Sequence, residues 1–177
     1  DRKENPLNVE SPKDDIWYSV KDKNGKWSEA KNIGRPLNNR DNNFVISSSP
    51  DNNTLLLGNK YASDGVSPNG GGVSIAKKGQ SGWEIPKDVV IDDFINTNGY
   101  VGYFLSNDNK NLLMTVERSE GLGLKDIYVS FVKEDGTFSK PKSLGNVVNT
   151  FEDEANPYLA SDGKTLYFAS KGHPGYG

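Results

Sequence analysis

The chain has 177 residues, a formal net charge of −3 and no cysteine, so disulfide bonds and thiolate metal sites are excluded. Its length suits one domain, and its 19 glycines and 9 prolines favour a loop-rich β protein over a helical bundle. The sequence has no basic cluster and no apolar run long enough for a membrane helix, which argues against nucleic acid as a partner and against membrane insertion by this segment.

Short apolar runs bounded by turn residues recur along the chain and predict β-strands. In chain order the runs span residues 16–20, 44–48, 55–57, 73–76, 100–105, 112–116, 127–132, 157–160 and 166–169. More polar stretches near Trp27, Trp83 and Phe138 are predicted to be outer strands, because the edge strands of a sheet are commonly polar. No segment has the spacing of an amphipathic helix, so the predicted fold class is all-β.

Two series of landmark residues repeat along the chain with nearly the same period. Aromatic residues that open a polar stretch are 56 and then 55 residues apart: Trp27, Trp83 and Phe138. Aspartates between two apolar runs are 57 and then 54 residues apart: Asp51, Asp108 and Asp162. We predict that the aspartates are structural turn residues, because Asp accepts backbone hydrogen bonds in tight turns. The aromatic residues are predicted to anchor the packing of each repeat.

Four antiparallel strands in each repeat is the arrangement of a β-propeller blade. The sequence therefore predicts a partial β-propeller over residues 1–177, with about three repeats' worth of blades. The predicted units are the outer half of a blade (1–35), two complete blades (36–91 and 92–146) and the inner half of a blade (147–177). Joining the two ends would give three blades, below the usual ~4–8, so we expect the chain to be part of a larger propeller.

An acidic run, Glu152, Asp153 and Glu154, stands just before a predicted first strand and therefore at one end of the propeller. Arg40 lies in the matching loop of the first complete blade. These four residues are the candidate binding-face residues. Two carboxylates in this run could serve glycoside hydrolysis, whose outcome depends on their separation; a loop of solvated charges is the alternative interpretation.

No catalytic residue, cofactor site or metal site is predicted. His173 is the single histidine, and without a second histidine or a cysteine no transition-metal site is expected. Calcium is the one ion for which the sequence offers oxygen ligands, as in Asp14-Asp15 and Asp92-Asp93, but neither pair has the spacing of an EF-hand loop. An aromatic side chain exposed at the propeller face could stack on a sugar or a peptide, and the sequence does not show which one.

Parts of the chain resemble a known repeat. Residues 161–170, SDGKTLYFAS, and residues 126–145, which begin with DIY, resemble the TolB-type, WD-like β-propeller repeat. The longer stretch VNTFEDEANPYLASDGKTLYFASKGHPGYG resembles propeller segments of OmpA-family envelope proteins of the Bacteroidetes group. The resemblance covers nearly the whole chain. The middle repeat departs from it, with GVS at residues 72–74 in place of DIY and Asn109 in place of the turn glycine.

The resemblance implies a non-enzymatic binding or scaffold propeller of a peptidoglycan-associated envelope protein, which presents loops to a protein or glycan partner. It also implies a location in the periplasm of a Gram-negative bacterium, in association with the outer membrane. Peptidoglycan would be bound through a domain absent from this chain. Two alternatives remain open, because a fold does not fix a function: an accessory component of a secretion or gliding apparatus, and a glycosidase or peptidase-associated propeller.

Overall fold

The computed structural model describes residues 13–176, and every regular element within that range is a β-strand. The described residues form thirteen strands in four antiparallel sheets. Each sheet is built from strands that are consecutive in the chain, as expected where short connections join neighbouring strands. The predicted all-β class is confirmed.

The second and third sheets are the larger ones. The second sheet contains β3 (Val45–Ser48), β4 (Thr54–Gly58), β5 (Val73–Gly79), β6 (Gly82–Trp83) and β7 (Lys87–Asp88). Its order is β3-β4-β5, and both β6 and β7 pair with β5. The third sheet contains β8 (Gly102–Leu105), β9 (Asn111–Val116), β10 (Asp126–Phe131) and β11 (Lys142–Ser143), in the order β8-β9-β10-β11.

The first and fourth sheets have two described strands each. The first sheet pairs β1 (Trp17–Tyr18) with β2 (Lys31–Asn32), and the fourth pairs β12 (Glu154–Leu159) with β13 (Leu166–Ser170). By position in the repeat, β1 and β2 correspond to β10 and β11, and β12 and β13 correspond to β8 and β9. The first sheet therefore matches the third and fourth strands, and the fourth sheet matches the first and second strands, of the four-strand pattern.

The predicted second strands of the repeat are confirmed, because β4, β9 and β13 contain the apolar runs 55–57, 112–116 and 166–169. Among the third strands, β5 and β10 begin within one residue of the predicted positions, whereas β1 is shorter than the predicted run 16–20. The first strand of the fourth sheet begins at Glu154 rather than at residue 157. This difference matters for the site, since it brings Glu154 into the sheet.

The predicted outer strands lie near the landmark aromatics, with Trp83 inside β6 and the remaining pairing with the third strands just beyond the aromatic. The fourth strands β2, β7 and β11 each begin four residues after the aromatic. The aromatic instead closes a tight hairpin on the third strand, as the isolated bridges Lys21–Trp27 and Val132–Phe138 show. In two repeats a proline follows the aromatic, Pro86 or Pro141. Because proline has no N–H to donate, it interrupts the ladder between the hairpin and the fourth strand.

The second strands β4 and β9 are buried on both faces, because a neighbouring sheet packs on each side. In β4, Leu55 and Leu57 pack between the first and second sheets, whereas Leu56 packs between the second and third. In β9, Met114 faces the second sheet and Leu113 faces the fourth. Alternate side chains of a strand point to opposite faces, so a continuous apolar run serves two interfaces. The four sheets therefore stack face to face in a row.

A buried asparagine fastens the chain after the fourth strand to the third strand in two of the repeats. Asn149 accepts a bond from Ile127 N at 2.8 Å and donates one to Ile127 O at 3.1 Å. Asn38 makes the same two bonds with Ile16, also at 2.8 and 3.1 Å. A side-chain amide offers the same donor and acceptor as a peptide group, so each asparagine extends the sheet without a strand. Phe94 holds the equivalent position of the middle repeat.

The turn between the first and second strands is built around the repeated aspartate. Asp108 Oδ1 accepts bonds from Ser106 Oγ at 2.6 Å and Lys110 N at 3.0 Å. Asp51 and Asp162 each accept the bond from the backbone N–H two positions on. The residue after each aspartate has a positive φ of 56, 59 or 64°: Asn52, Asn109 and Gly163. Asparagine tolerates this left-handed conformation, which explains why Asn109 can replace the turn glycine.

Replacing Asp108 with alanine should lower the free energy of unfolding at neutral pH and should have a smaller effect at strongly acidic pH. The hydrogen bond from Ser106, followed by that from Lys110 N, lowers the pKa of Asp108 below 3.8. A lowered folded-state pKa contributes stability above the unfolded pKa, and this stability is lost as the pH falls through the folded value. Urea unfolding of the wild-type chain and D108A at the two pH values measures this loss of unfolding free energy. E134A, which removes an exposed carboxylate, is the control, and an equal loss for D108A at both pH values would contradict the prediction.

Candidate functional site

One end of each sheet carries the long connections. Because the strands are antiparallel, the connections from second to third strands and from fourth to first strands emerge at the same end of a sheet. We call this the loop end; its connections are residues 33–44, 59–72, 89–101, 117–125 and 144–153. Loops positioned by a rigid scaffold are the usual place for binding residues. The candidate residues Arg40, Glu152 and Asp153 all lie there.

A cleft of about 270 Å³ lies at the loop end, where the first strands begin. Its lining is mostly aromatic and aliphatic side chains and glycine backbone: Phe44, Ile46, Gly58, Gly72, Val73, Tyr100, Val101, Gly102, Tyr103, Asn156 and Pro157. These residues come from the second, third and fourth sheets. No acidic or basic side chain of the described residues lines it. The cleft therefore suits an uncharged ring or an apolar segment of a ligand.

Two exposed aromatic side chains line the cleft. Phe44 is 47 % exposed and Tyr100 is 64 % exposed. The Phe44 ring lies directly on Gly58, where any Cβ would overlap the ring, so a glycine is needed to seat it. Burial raises the pKa of Tyr103, deeper in the cleft, to about 12, so its phenol stays neutral and can donate a hydrogen bond. The sequence offered the aromatic residues, but only the fold separates these two from those that pack inside.

Basic side chains stand at the margin of the cleft rather than in it. Lys125 Nζ lies 6.0 Å from the centre of the Tyr100 ring, within the range of a cation–π contact. The same ammonium is 3.9 Å from Asp153, and Lys171 bonds Asp153 at 2.7 Å. The hydrogen bond from Lys171 and the charge of Lys125 together lower the pKa of Asp153. Asp153 is therefore an ionised, paired group beside the cleft.

The structure separates the residues of the acidic run. Glu152 is exposed, and Asp153 is half-buried in its ion pairs. Glu154 is 0 % exposed, so its assignment as a binding-face residue is corrected. It lies inside because β12 begins three residues earlier than the sequence pattern indicates. Its carboxylate accepts bonds from Thr150 N at 2.9 Å, Thr150 Oγ1 at 2.7 Å and Ser170 Oγ at 2.7 Å.

A second buried carboxylate, Asp126, lies close enough to Glu154 to feel its charge. Burial raises the pKa of Asp126, and the negative charge of Glu154 raises it further. Bonds from Leu122 N at 2.6 Å and Gly123 N at 3.3 Å act in the opposite direction. Asp126 is 1 % exposed, so neither carboxylate faces a substrate in solution. Asp126 fastens the loop 117–125 to the start of β10, and Glu154 fastens the connection 144–153 to the end of β13.

Arg40 and His173 lie apart from the cleft lining. Arg40 is exposed, and its backbone N–H bonds Val66 O at 3.1 Å. His173 Nε2 is 3.0 Å from Val148 O, and its ring meets Phe168 edge-on at 5.6 Å. His173 thus ties the chain after β13 to the connection before β12, as a turn residue would. The structure does not bring Arg40 and the acidic run into one constellation with the cleft.

The three landmark aromatics have different surroundings. Phe138 is buried between the second and third sheets, next to Leu56 and Val73. Trp83 is half-buried beside the cluster between the first and second sheets. Trp27 is 60 % exposed and carries Lys21 Nζ 4.8 Å from its ring centre. Trp27 is more exposed than the other two aromatics because no described sheet packs against the outer side of the first sheet.

A larger groove of about 580 Å³ lies between the outer strands of the second and third sheets. Apolar side chains form part of its surface: Ile75, Ile85, Val89, Val90, Val132 and Phe138. Its charged lining has three lysines and three acids: Lys77, Lys78, Lys87, Glu84, Asp88 and Asp135. Because these charges balance, the groove favours neither an anionic nor a cationic ligand. The cleft at the loop end is therefore the better-defined candidate site.

Within residues 13–176 the structure places no group of three or more histidine, aspartate or glutamate side chains where they could hold a metal ion. The same residues include no helix that is long and apolar enough to cross a membrane. Comparison of the chain with protein-family models, with curated proteins and with solved structures found no match.

Proposed function

We propose that the stacked sheets are blades of a β-propeller and that its loop end binds a protein or glycan partner, without catalysis. Two features support the propeller. The sheets repeat one strand order, and an apolar cluster fills each space between successive sheets. Blades that bury both faces by stacking have this organisation.

The observation that carries the binding proposal is the pair of exposed aromatics at the cleft, Phe44 and Tyr100. Exposing a large aromatic side chain to water is unfavourable because apolar surface is hydrated. Binding removes that surface from water when the ring stacks on a ring or an apolar segment of a partner. The neutral lining and the ion-paired margin leave stacking as the main source of affinity. The cleft therefore serves recognition.

The setting of this function is proposed from the resemblance to OmpA-family envelope proteins. The module would face the periplasm in association with the outer membrane, and peptidoglycan would be held by a domain absent from this chain. Cell fractionation with an antibody against the 177-residue chain tests the location. Recovery with cytosolic markers would contradict it.

Replacing Tyr100 with alanine should weaken binding of the partner by about 5- to 150-fold, because one stacked ring is worth roughly 1–3 kcal/mol. The probes are soluble muropeptides, chito-oligosaccharides and an array of unstructured peptides. The strongest of these is then titrated calorimetrically against the wild-type chain and Y100A. The matched control is F131A, which removes a 48 % exposed ring at the last residue of β10, at the end of the sheet away from the loop end. Equal affinity of wild type and Y100A, or an equal loss in F131A, would contradict the proposed site.

A further inference from the structure

Two polar side chains of the loop-end cleft have no hydrogen-bond partner among the described residues. Asn156 is exposed and lines the cleft, and its side-chain amide takes part in none of the described bonds. The phenol of Tyr103, half-buried in the cleft, has no described partner either. An amide offers two N–H donors and one acceptor, and a phenol can donate or accept. The cleft therefore has unused hydrogen-bonding groups beside its exposed rings.

Asn156 lies in a bulge of β12. Ala155 is opposite Ala169 and Tyr158 is opposite Tyr167, so two residues of β12 face one residue of β13. The first of the two, Asn156, has a φ of 51°, the left-handed conformation that glycine commonly takes in a bulge. Bulges re-aim side chains and are frequent next to binding sites. The backbone here would accept glycine, and the chain instead carries an amide at the cleft.

The exposed rings and the free polar groups together define the chemistry of the ligand. Phe44 and Tyr100 come from loops of the second and third sheets and offer apolar faces for stacking. A wholly apolar ligand would bury the Asn156 amide and the Tyr103 phenol without partners, which is costly. A sugar ring has C–H groups on its faces and hydroxyl groups around its rim, so it matches both kinds of group.

We propose, on the basis of the proposed function of this cleft, that its ligand is one uncharged sugar ring of a glycan. The ring stacks on the exposed aromatics, and its hydroxyl groups bond Asn156 and Tyr103. The volume of about 270 Å³ is just below the ~300–1,000 Å³ of common ligand pockets, which suits a single ring. An extended peptide is recognised instead by a row of backbone bonds and several side-chain pockets.

The charges around the cleft favour a neutral sugar over an acidic one. No acidic or basic side chain of the described residues lines the cleft. At its margin, the Lys125 ammonium is 3.9 Å from the Asp153 carboxylate, so its charge is partly balanced. A ligand carboxylate would therefore leave water without a matched ion pair inside the cleft.

Replacing Asn156 with glycine tests the amide, because glycine keeps a positive φ without strain. The N156G variant should fold as the wild type does and should bind neutral sugars about 3- to 10-fold more weakly. The probes are cellotriose, maltotriose and chitotriose, titrated calorimetrically beside acidic trigalacturonate and the peptide array. The matched control is N52G, the same change at a φ of 56° in the exposed turn between β3 and β4, away from the loop end. N52G should bind as the wild type does.

NMR of the wild-type chain tests the same contact without a substitution. The side-chain NH₂ signals of Asn156 should shift when the tightest-binding neutral trisaccharide is added, whereas those of Asn52 should stay in place. If N156G does not fold, these signals decide: unshifted Asn156 signals at saturating sugar overturn the contact.

The pattern of affinities separates this ligand class from the function of the cleft. Tighter binding of a neutral trisaccharide than of trigalacturonate or any peptide, weakened in N156G but not in N52G, supports the sugar. A preference for trigalacturonate would assign the ligand to the ammonium groups at the margin, Lys125 and Lys60 beside Gly72, and overturns it. Equal affinity of N156G and the wild type, or no binding of any neutral trisaccharide, also overturns it. A peptide whose binding is weakened in Y100A would uphold the proposed function of the cleft and overturn only the sugar.

Discussion

Replacing Asn149 with alanine should lower the free energy of unfolding by about 2–4 kcal/mol, because a buried peptide group loses its partners. The side chain of Asn149 is 1 % exposed and serves both the N–H and the C=O of Ile127. The carbonyl keeps a second bond from Leu144 N at 3.1 Å, whereas the N–H has no other partner among the described bonds. Water cannot replace the lost acceptor without opening the packing around Ile127, which is fully buried.

Urea unfolding followed by tryptophan fluorescence measures the effect of N149A. The repeat supplies a matched control, because Phe94 holds the same position in the middle repeat and is 39 % exposed. F94A removes a larger side chain but orphans no buried peptide group, so it should cost less than N149A. A cost for F94A that equals or exceeds that of N149A would show that side-chain volume, rather than the paired amide bonds, stabilises this position.

The strand pattern was predictable from sequence where packing is most demanding. A second strand such as β4 lies between two sheets, so Leu55, Leu56 and Leu57 must all be apolar, and such a run is visible without a structure. The fourth strands could be predicted only approximately, near the aromatics, because two-residue strands such as β11 (Lys142–Ser143) are polar and partly exposed. All three fourth strands begin four residues after the aromatic, although only two repeats have a proline between them, so the hairpin at the aromatic sets their position without leaving a hydrophobic pattern.

The candidate site was less predictable than the fold. Exposure separates Tyr100 and Phe44 from packed aromatics such as Phe138, and exposure depends on which sheet lies opposite. The buried asparagines could have been identified from the sequence, because Asn38 follows Ile16 by 22 residues and Asn149 follows Ile127 by the same spacing. Glu154 was assigned to the surface because a charged run is usually solvated. Its burial could be inferred only from the hydroxyl and amide donors that the fold gathers around it.

Because of those donors, we predict that glutamine, the neutral isostere of glutamate, cannot replace Glu154 without loss of stability. Ser170 Oγ already accepts bonds from Gly172 N at 3.1 Å and His173 N at 3.2 Å, so its proton must go to Glu154. Thr150 N, which faces the other carboxylate oxygen, is a backbone N–H and can only donate. Each carboxylate oxygen therefore faces a group that can only donate, and the position requires a side chain with acceptors only.

The variant E154Q should lower the free energy of unfolding by about 1–3 kcal/mol, although it removes a buried charge, because the glutamine NH₂ must face a donor. E154A leaves all three donors without a partner and should cost more, about 2–5 kcal/mol, by urea unfolding at neutral pH.

Both variants should also lower the pKa of Asp126, since the charge of Glu154 is one of the causes that raise it, and NMR titration of the Asp126 carboxyl measures this shift. A more stable E154Q would mean that the cost of burying the charge outweighs the three bonds. An unchanged pKa of Asp126 would mean that the two carboxylates are not coupled. If both results hold as predicted, the three bonds accepted by Glu154 hold the connection before β12 and the end of β13 together.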